Sequence, residues 1–200
     1  MISAIILAAG ESKRMGQAKQ LLGIGGKALL QQALDAVLDS DVDEVILVLG
    51  HEAEGIRSAM DVRRARVVVN PDYARGMSTS IQEGLKALDK RSEAFFIVLG
   101  DQPEIRPAVY NRLIREFRRG RPSADILLPA YQGKKGHPAL FSIKYLAESF
   151  KITGDVGFRE IVQKHPEEVL LVDVDTAAVL ADLDTPEDYR EYLQKKSEEK

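Results

Sequence analysis

Lys13, Arg14 and Lys19 place three cations within seven residues, just after a small-residue turn, Ala8-Ala9-Gly10, that closes the apolar run Ile5, Ile6 and Leu7. A triphosphate needs this combination: a glycine lets backbone N–H groups approach phosphate oxygens, and cationic side chains neutralise them. A second candidate is Asp101, which follows the apolar run Ala94 to Leu99 and Gly100 and precedes Gln102-Pro103. A carboxylate just past the carboxyl end of a central parallel strand lies where open α/β sheets bind ligands, and the flanking Gly and Pro hold it on a rigid corner. Its expected task is to hold magnesium, a hard ion that takes one or two carboxylates plus phosphate oxygens. Asp182 and Asp184, two apart on an extended segment, point the same way. Asp184 is the candidate to complete the magnesium site with Asp101.

The phosphate loop is not a common one. Five residues separate Gly10 from Gly16 and Gln17 follows, which departs from the four-residue spacing and Lys-Ser/Thr of a P-loop. Gly23-Ile24-Gly25 with Ala28 imitates a dinucleotide fingerprint but follows no convincing strand. Downstream, Arg75-Gly76-Met77-Ser78-Thr79-Ser80 leads into a helix, with Ser78 as the expected N-cap and free N–H groups that suit an anion or polar ligand. Lys134, Lys135 and His137 gather at a polar turn that could meet a substrate phosphate or simply form a solvated hairpin tip. Asp155 reads as a cap or as a turn carboxylate over the site, capping being preferred. His51 and His165 lack partners at metal-ligand spacing and read as surface residues.

The elements that must position these groups alternate. Strands are expected at the opening run, Val45 to Leu49, Arg66 to Val69, Ala94 to Leu99, Ile126 to Pro129, Ala139 to Phe141 and Val169 to Val174. Helices are expected at Lys27 to Ser40, Glu52 to Met60, after Arg75, at Pro107 to Arg119, after Gly157 and after Pro186, with Thr185 as N-cap of the last. Ala181 to Asp184 is expected to end a further strand. Asn70-Pro71 closes the third strand, since Pro71 has no N–H for the ladder. The order β-α-β-α-β predicts an α/β fold: a single-domain, three-layer, Rossmann-like, mainly parallel sheet with helices on both faces. One domain over 1–192 and a frayed tail over 193–200 are expected.

Composition sets limits. The 200 residues are 44 % hydrophobic and 30 % charged, which excludes disordered and fibrous classes. Without cysteine there is no disulfide, thiolate nucleophile or cysteine-based zinc site. A net charge of −3 offers no general attraction to nucleic acid, and the basic runs at 63–66 and 115–121 read as solvated faces. No apolar run approaches the roughly eighteen residues of a membrane span, and no signal-peptide pattern precedes the first strand, so the expected location is cytoplasmic.

The blocks LAAGESKRMGQAKQLL, VVVNPDYARGMSTS, VLGDQPEI, GHPALF, TGDVGFREIV and DLDTPEDY, in that order from about Ile5 to Tyr189, resemble the molybdenum cofactor cytidylyltransferases. These belong to the NTP-transferase domains of nucleotide-diphospho-sugar transferase fold. The resemblance implies transfer of CMP from CTP to the terminal phosphate of molybdopterin-bound molybdenum, with release of pyrophosphate. It also implies an apo-molybdoenzyme of the xanthine dehydrogenase type as recipient. Carried over, Leu7, Ala8, Ala9 and Gly10 contact the nucleotide through the backbone, and Arg14 and Lys19 hold its phosphates. Asn70, Gly76, Ser78 and Ser80 lie near base or ribose, and Asp101 binds magnesium beside Gly100. His137, Asp155, Asp182 and Asp184 fall on the side of the second substrate. Related guanylyltransferases usually open with Leu-Ala-Gly-Gly and carry asparagines where this chain has Asp182 and Asp184; Ala9 and Gly100 favour cytosine. A guanylyltransferase, another cytidylyltransferase, for a phosphorylated small molecule such as methylerythritol phosphate, and a non-catalytic cofactor carrier for a molybdoenzyme are the alternatives.

Overall fold

Strand β1, Ile2–Ala8, lies inside the sheet. It pairs in parallel with β4, Glu44–Leu49, on one side and with β6, Ala94–Leu99, on the other. The computed structural model describes residues 1–120, 124–155 and 157–198; Arg121 of the second basic run, Val156 of the TGDVG block and the last two tail residues lie outside these. The main order is β10-β7-β9-β6-β1-β4-β5, where β5 is Arg66–Val69, β7 Ile126–Tyr131, β9 Ala139–Ser142 and β10 Val169–Asp173. Strand β9 runs antiparallel to both β6 and β7, and β8, Lys134–Lys135, folds back on β7 as a hairpin. The remaining main-sheet pairings are parallel, as the alternating pattern predicts.

The apolar runs are continuous because both faces are covered. Ile6, Leu47 and Phe96 face Leu30 and Leu34 of α1 (Leu29–Leu38), Ile56 of α2 (Ala53–Ala59) and Val109 and Leu113 of α4 (Pro107–Arg118). On the opposite face Ile5, Val48 and Ile97 meet Ile81 and Leu85 of α3 (Met77–Lys86) and Ile161 of α6 (Arg159–Lys164). A single turn, α5 (Leu146–Ser149), leads towards α6. Each fully buried Leu, Ile or Phe contributes about 1.5–3 kcal/mol, so the two layers clamp the central strands firmly.

Two local readings are corrected, at Asp182 and at Ser78. The Gly23–Ile24 stretch follows a 3-10 turn, Lys19–Leu21, and no strand, as expected, and itself forms β2, which pairs with β3, Lys27–Ala28, in a two-stranded hairpin. That hairpin carries a third cluster, Met15, Leu22, Ile24 and Leu29, against Leu183 and Tyr192. No strand precedes Asp182; Ala177–Leu180 is a 3-10 turn, and the chain is extended only from Ala181. Finally, Ser78 lies buried within α3 and Gly76, at φ 112°, occupies the cap position. The last helix, α7, begins at Pro186 as expected, with Thr185 Oγ1 accepting from Asp188 N–H at 3.2 Å and Asp188 Oδ2 accepting from Thr185 N–H at 2.8 Å. It remains helical to Glu198, past the point where fraying is expected. No helix among the described residues is long and apolar enough to cross a membrane.

Candidate active site

At the carboxyl ends of β1 and β6 the backbone leaves the sheet into a cleft of about 430 Å³, lined by Leu7 to Glu11, Arg14, Lys19, Gly100, Asp101, Asp182 and Asp184. Close packing builds its floor. A Cβ on Gly100 would lie 2.8 Å from Leu30 Cδ1 and 3.0 Å from Leu7 O, and one on Gly50 would lie 2.8 Å from Ala9 Cβ. Glycine at 100 therefore lets β6 end flush against β1 and sets where Asp101 emerges. The phosphate loop is pinned from below by Gln20, buried, whose Nε2 donates to Ala8 O at 3.2 Å and Gly10 O at 3.0 Å.

The charged groups form one network. Lys19 Nζ donates to Asp101 Oδ2 at 2.6 Å and to Asp184 Oδ1 at 2.7 Å, while Arg14 Nη2 donates to Asp184 Oδ2 at 2.9 Å. Burial opposes the charge of Lys19, but Asp101 and Asp184 outweigh it and raise its pKa above the usual lysine value. Burial likewise works to raise the pKa of Asp184, and the bonds and charges of Lys19 and Arg14 overcome it, leaving the carboxyl below its ordinary range. Asp182 shifts the other way: burial, then the charges of Asp101 and Asp184, push it up, and its carboxylate bonds to no other described residue. Asp101 Oδ1 is buried without a hydrogen-bond partner. An orphaned carboxylate oxygen beside a second crowded carboxylate fits a hard divalent cation, which would relieve both. The reading of His165 as partnerless is corrected: His165, Glu167 and Glu168 have ligand atoms within 4.8 Å of one another. None of the three lines the cleft, and Glu168 is bonded by Lys144 and Tyr145.

Gly76 and Ser80 line the cleft, whereas Asn70 and Ser78 are buried and do not. Asn70 is spent on structure: Nδ2 donates to Thr79 Oγ1 at 2.8 Å and Ser80 Oγ at 2.9 Å, and Oδ1 accepts from Asp72 N–H at 2.9 Å. Asp155 is a cap, though of another element than the one it precedes. Its Oδ1 accepts from Met77 N–H at 2.8 Å, and Gly154 O accepts from Ser78 N–H at 3.0 Å. The Thr153-Gly154-Asp155 segment thus braces the start of α3.

Beyond this brace opens a second cavity of about 500 Å³ that shares Met77, Leu99 and Asp155 with the first. Its walls are apolar, chiefly Ile81, Ile97, Leu128, Phe141 and Phe158, and the last two rings lie 4.4 Å apart. Lys135, His137 and Arg159 supply its polar edge. Burial pushes the His137 imidazole below its ordinary pKa, although Asp101 and Asp182 pull upward, and its Nδ1 is buried and unpartnered. Sequence reasoning brings His137 to this edge but misses Arg159 and Gln20. Only the run Gly157-Phe158-Arg159, a turn ending in a cation at a helix start, carries a signal for Arg159.

A nucleotide-sized cleft lined by both cations and carboxylates, contiguous with an apolar pocket at the carboxyl edge of a parallel sheet, matches what residues 4–169 are in sequence: the MobA-like NTP transferase domain. The chain belongs to that family. The domain is that of a nucleotidyltransferase family, and its fold is the nucleotide-diphospho-sugar transferase fold. Among curated relatives, nicotine blue oxidoreductase of Paenarthrobacter nicotinovorans is 30 % identical over 195 residues, covering 93 % of each chain. Molybdenum cofactor cytidylyltransferase of Escherichia coli K12 is 27 % identical over 189 residues, covering 94 % of this chain and 93 % of that one. Among solved structures, Rv0371c of Mycobacterium tuberculosis in complex with manganese is 33 % identical, with a TM-score of 0.82 over 96 % of this MobA-like chain and 98 % of that one.

Proposed function

We propose that the chain transfers CMP from CTP to the terminal phosphate of molybdopterin cofactor, forming the cytosine dinucleotide and releasing pyrophosphate. One observation carries this reading: Lys19, Asp101, Asp184 and Arg14 form a single ion-pair network in a cleft that opens onto an apolar pocket. The acceptor phosphate attacks the α-phosphorus, and the bond from that phosphorus to the β-bridging oxygen breaks. A phosphomonoester is largely dianionic near neutral pH, its second pKa being about 6, so no base needs to take a proton. The task is to bring two polyanions together. Leu7 to Gly10 receive the nucleotide through the backbone, Gly76 and Ser80 flank the base or ribose, and Arg14 and Lys19 hold its phosphates. Asp101, with Asp182 or Asp184, would hold magnesium or a similar divalent ion, which supplies charge neutralisation at the reacting phosphates. His137 and Asp155 face the acceptor. The product passes to an apo-molybdoenzyme of the xanthine dehydrogenase type in the cytoplasm.

The test is transfer of label from α-phosphate-labelled CTP, and separately GTP, to molybdopterin cofactor with magnesium. A labelled cytosine dinucleotide from CTP alone supports the reading. Use of GTP alone keeps the phosphate site and discards the base assignment drawn from Ala9 and Gly100. Absence of transfer from both nucleotides would reject it. Oxidoreductase turnover would then favour the chemistry named for the Paenarthrobacter relative.

A further inference from the structure

The two cavities divide the cations between them. Arg14 and Lys19 line the first, Lys135 and Arg159 the second. Arg14 and Lys19 are bound to carboxylates, and Lys164, five residues beyond Arg159, takes Glu160 at 2.7 Å. Arg159 has no ion pair among the described residues, although Glu160 is its chain neighbour. It also opens α6, the end of a helix at which cations are disfavoured. An unpaired arginine at the wrong helix end, on the edge of an apolar pocket, breaks a local rule without a structural gain, as binding groups do.

Its placement is fixed. Phe158 is 7 % exposed and packs on Phe141 and Phe95, so the residue before Arg159 cannot swing. Gly157, at φ 56°, turns the chain where a Cβ would lie 3.3 Å from Met77 Sδ. His137 lines the second cavity with Arg159 and feels the charges of Asp101 and Asp182 from the first as well as that of Arg159.

We propose that Arg159 binds the acceptor's phosphate: its guanidinium fork takes the phosphomonoester on the second-cavity side, assisted by Lys135, while Lys19 and Arg14 serve the nucleotide. This rests on the nucleotidyl-transfer reading for its acceptor, but not for its ligand chemistry, a phosphate dianion on a ring-bearing molecule. A planar fork engages two phosphate oxygens at once, which a lysine cannot copy. The guanidinium stays charged throughout and moves no proton. It aims the attacking oxygen at the α-phosphorus.

Arg159→Ala and Arg159→Lys test this. With CTP and molybdopterin, Arg159→Ala should raise the acceptor KM about tenfold or more, the scale of a lost charge-assisted contact, and leave the CTP KM within about twofold. Arg159→Lys should fall between. Independently of turnover, inorganic phosphate titrated into protein saturated with an unreactive CTP analogue should bind the wild type, seen by 31P line broadening or calorimetry, and bind Arg159→Ala at least about tenfold more weakly. Equal changes in both KM values, or phosphate binding indifferent to residue 159, would overturn the assignment. Arg159-dependent phosphate binding in a chain that transfers no nucleotide supports Arg159 and rejects only the transfer reading. The residue is exposed, so thermal unfolding of both variants should match wild type.

Discussion

Replacing Lys19 by methionine keeps the apolar stem, one atom short of the lysine, and removes its charge. What remains is Asp101 and Asp184, only 16 % and 27 % exposed, with the cation that holds both removed. Breaking a buried pair by deleting one partner costs about 3–5 kcal/mol; partial exposure here reduces that to about 2 kcal/mol. For a chain of this size each kcal/mol moves Tm by roughly 2–4 °C, so Lys19→Met should unfold about 4–8 °C below wild type near neutral pH. Turnover should drop by two or more orders of magnitude, about 3 kcal/mol for a lost transition-state contact. The acid side follows from Asp184, whose pKa is depressed against its own burial by Lys19 and Arg14. A depressed carboxyl stabilises the fold above its unfolded value near 4 and loses that contribution as pH falls through the lower folded value. Without Lys19 that loss begins at higher pH. Manganese should recover more Tm in the variant than in wild type, since a divalent ion then meets no competing ammonium. Calorimetric melts with and without manganese, beside the label-transfer assay, read all of this. A variant with wild-type Tm and wild-type turnover would refute the network's role.

Gly84→Ala should destabilise by about 1–3 kcal/mol, because the new methyl would lie 2.4 Å from Ile5 Cγ2 under α3; denaturant melts check it, and Gly55→Ala, with open space around it, is the control. Asn70→Ala leaves Asp72 N–H and the Thr79 and Ser80 hydroxyls short of partners in a buried site, a loss of about 2 kcal/mol or more. It should lower nucleotide affinity only through loosening of the α3 start, which a CTP titration of the folded fraction would show. Burial holds His137 below its ordinary pKa, so its unfolded state binds more protons between the two values. Stability should therefore fall as pH drops below about 6.5, and His137→Gln should flatten that part of the Tm–pH curve. An unaltered slope would place the titration elsewhere.

Much of the frame is legible because it is local. The β1, β4 and β6 runs are apolar without alternation, and each stops at a small residue or an acid, so strand, crossover and ligand edge follow from neighbours in sequence. Lys19 and Asp101 stand out for the same reason. Long-range pairings left no periodic trace: Asp155 caps a helix that begins 78 residues earlier. Gln20 holds the loop through carbonyls that any residue would offer, and Arg159 takes its meaning only from the wall that β9 and Phe158 build around it. The 3-10 turn at Ala177–Leu180 has a strand's composition but is capped by Thr176 Oγ1, which accepts from Ala178 N–H at 3.2 Å.

The brace from Asp155 to Met77 makes the two cavities thermodynamically unequal to two separate sites. Met77 and Asp155 line both cavities, so a molecule in either one meets the first turn of α3 and the carboxylate that caps it. Linkage then demands reciprocity: whatever factor the acceptor applies to nucleotide affinity, the nucleotide returns to the acceptor. Asp155→Ala should drive that factor towards one, converting a pair of sites that report on each other into two that fill independently.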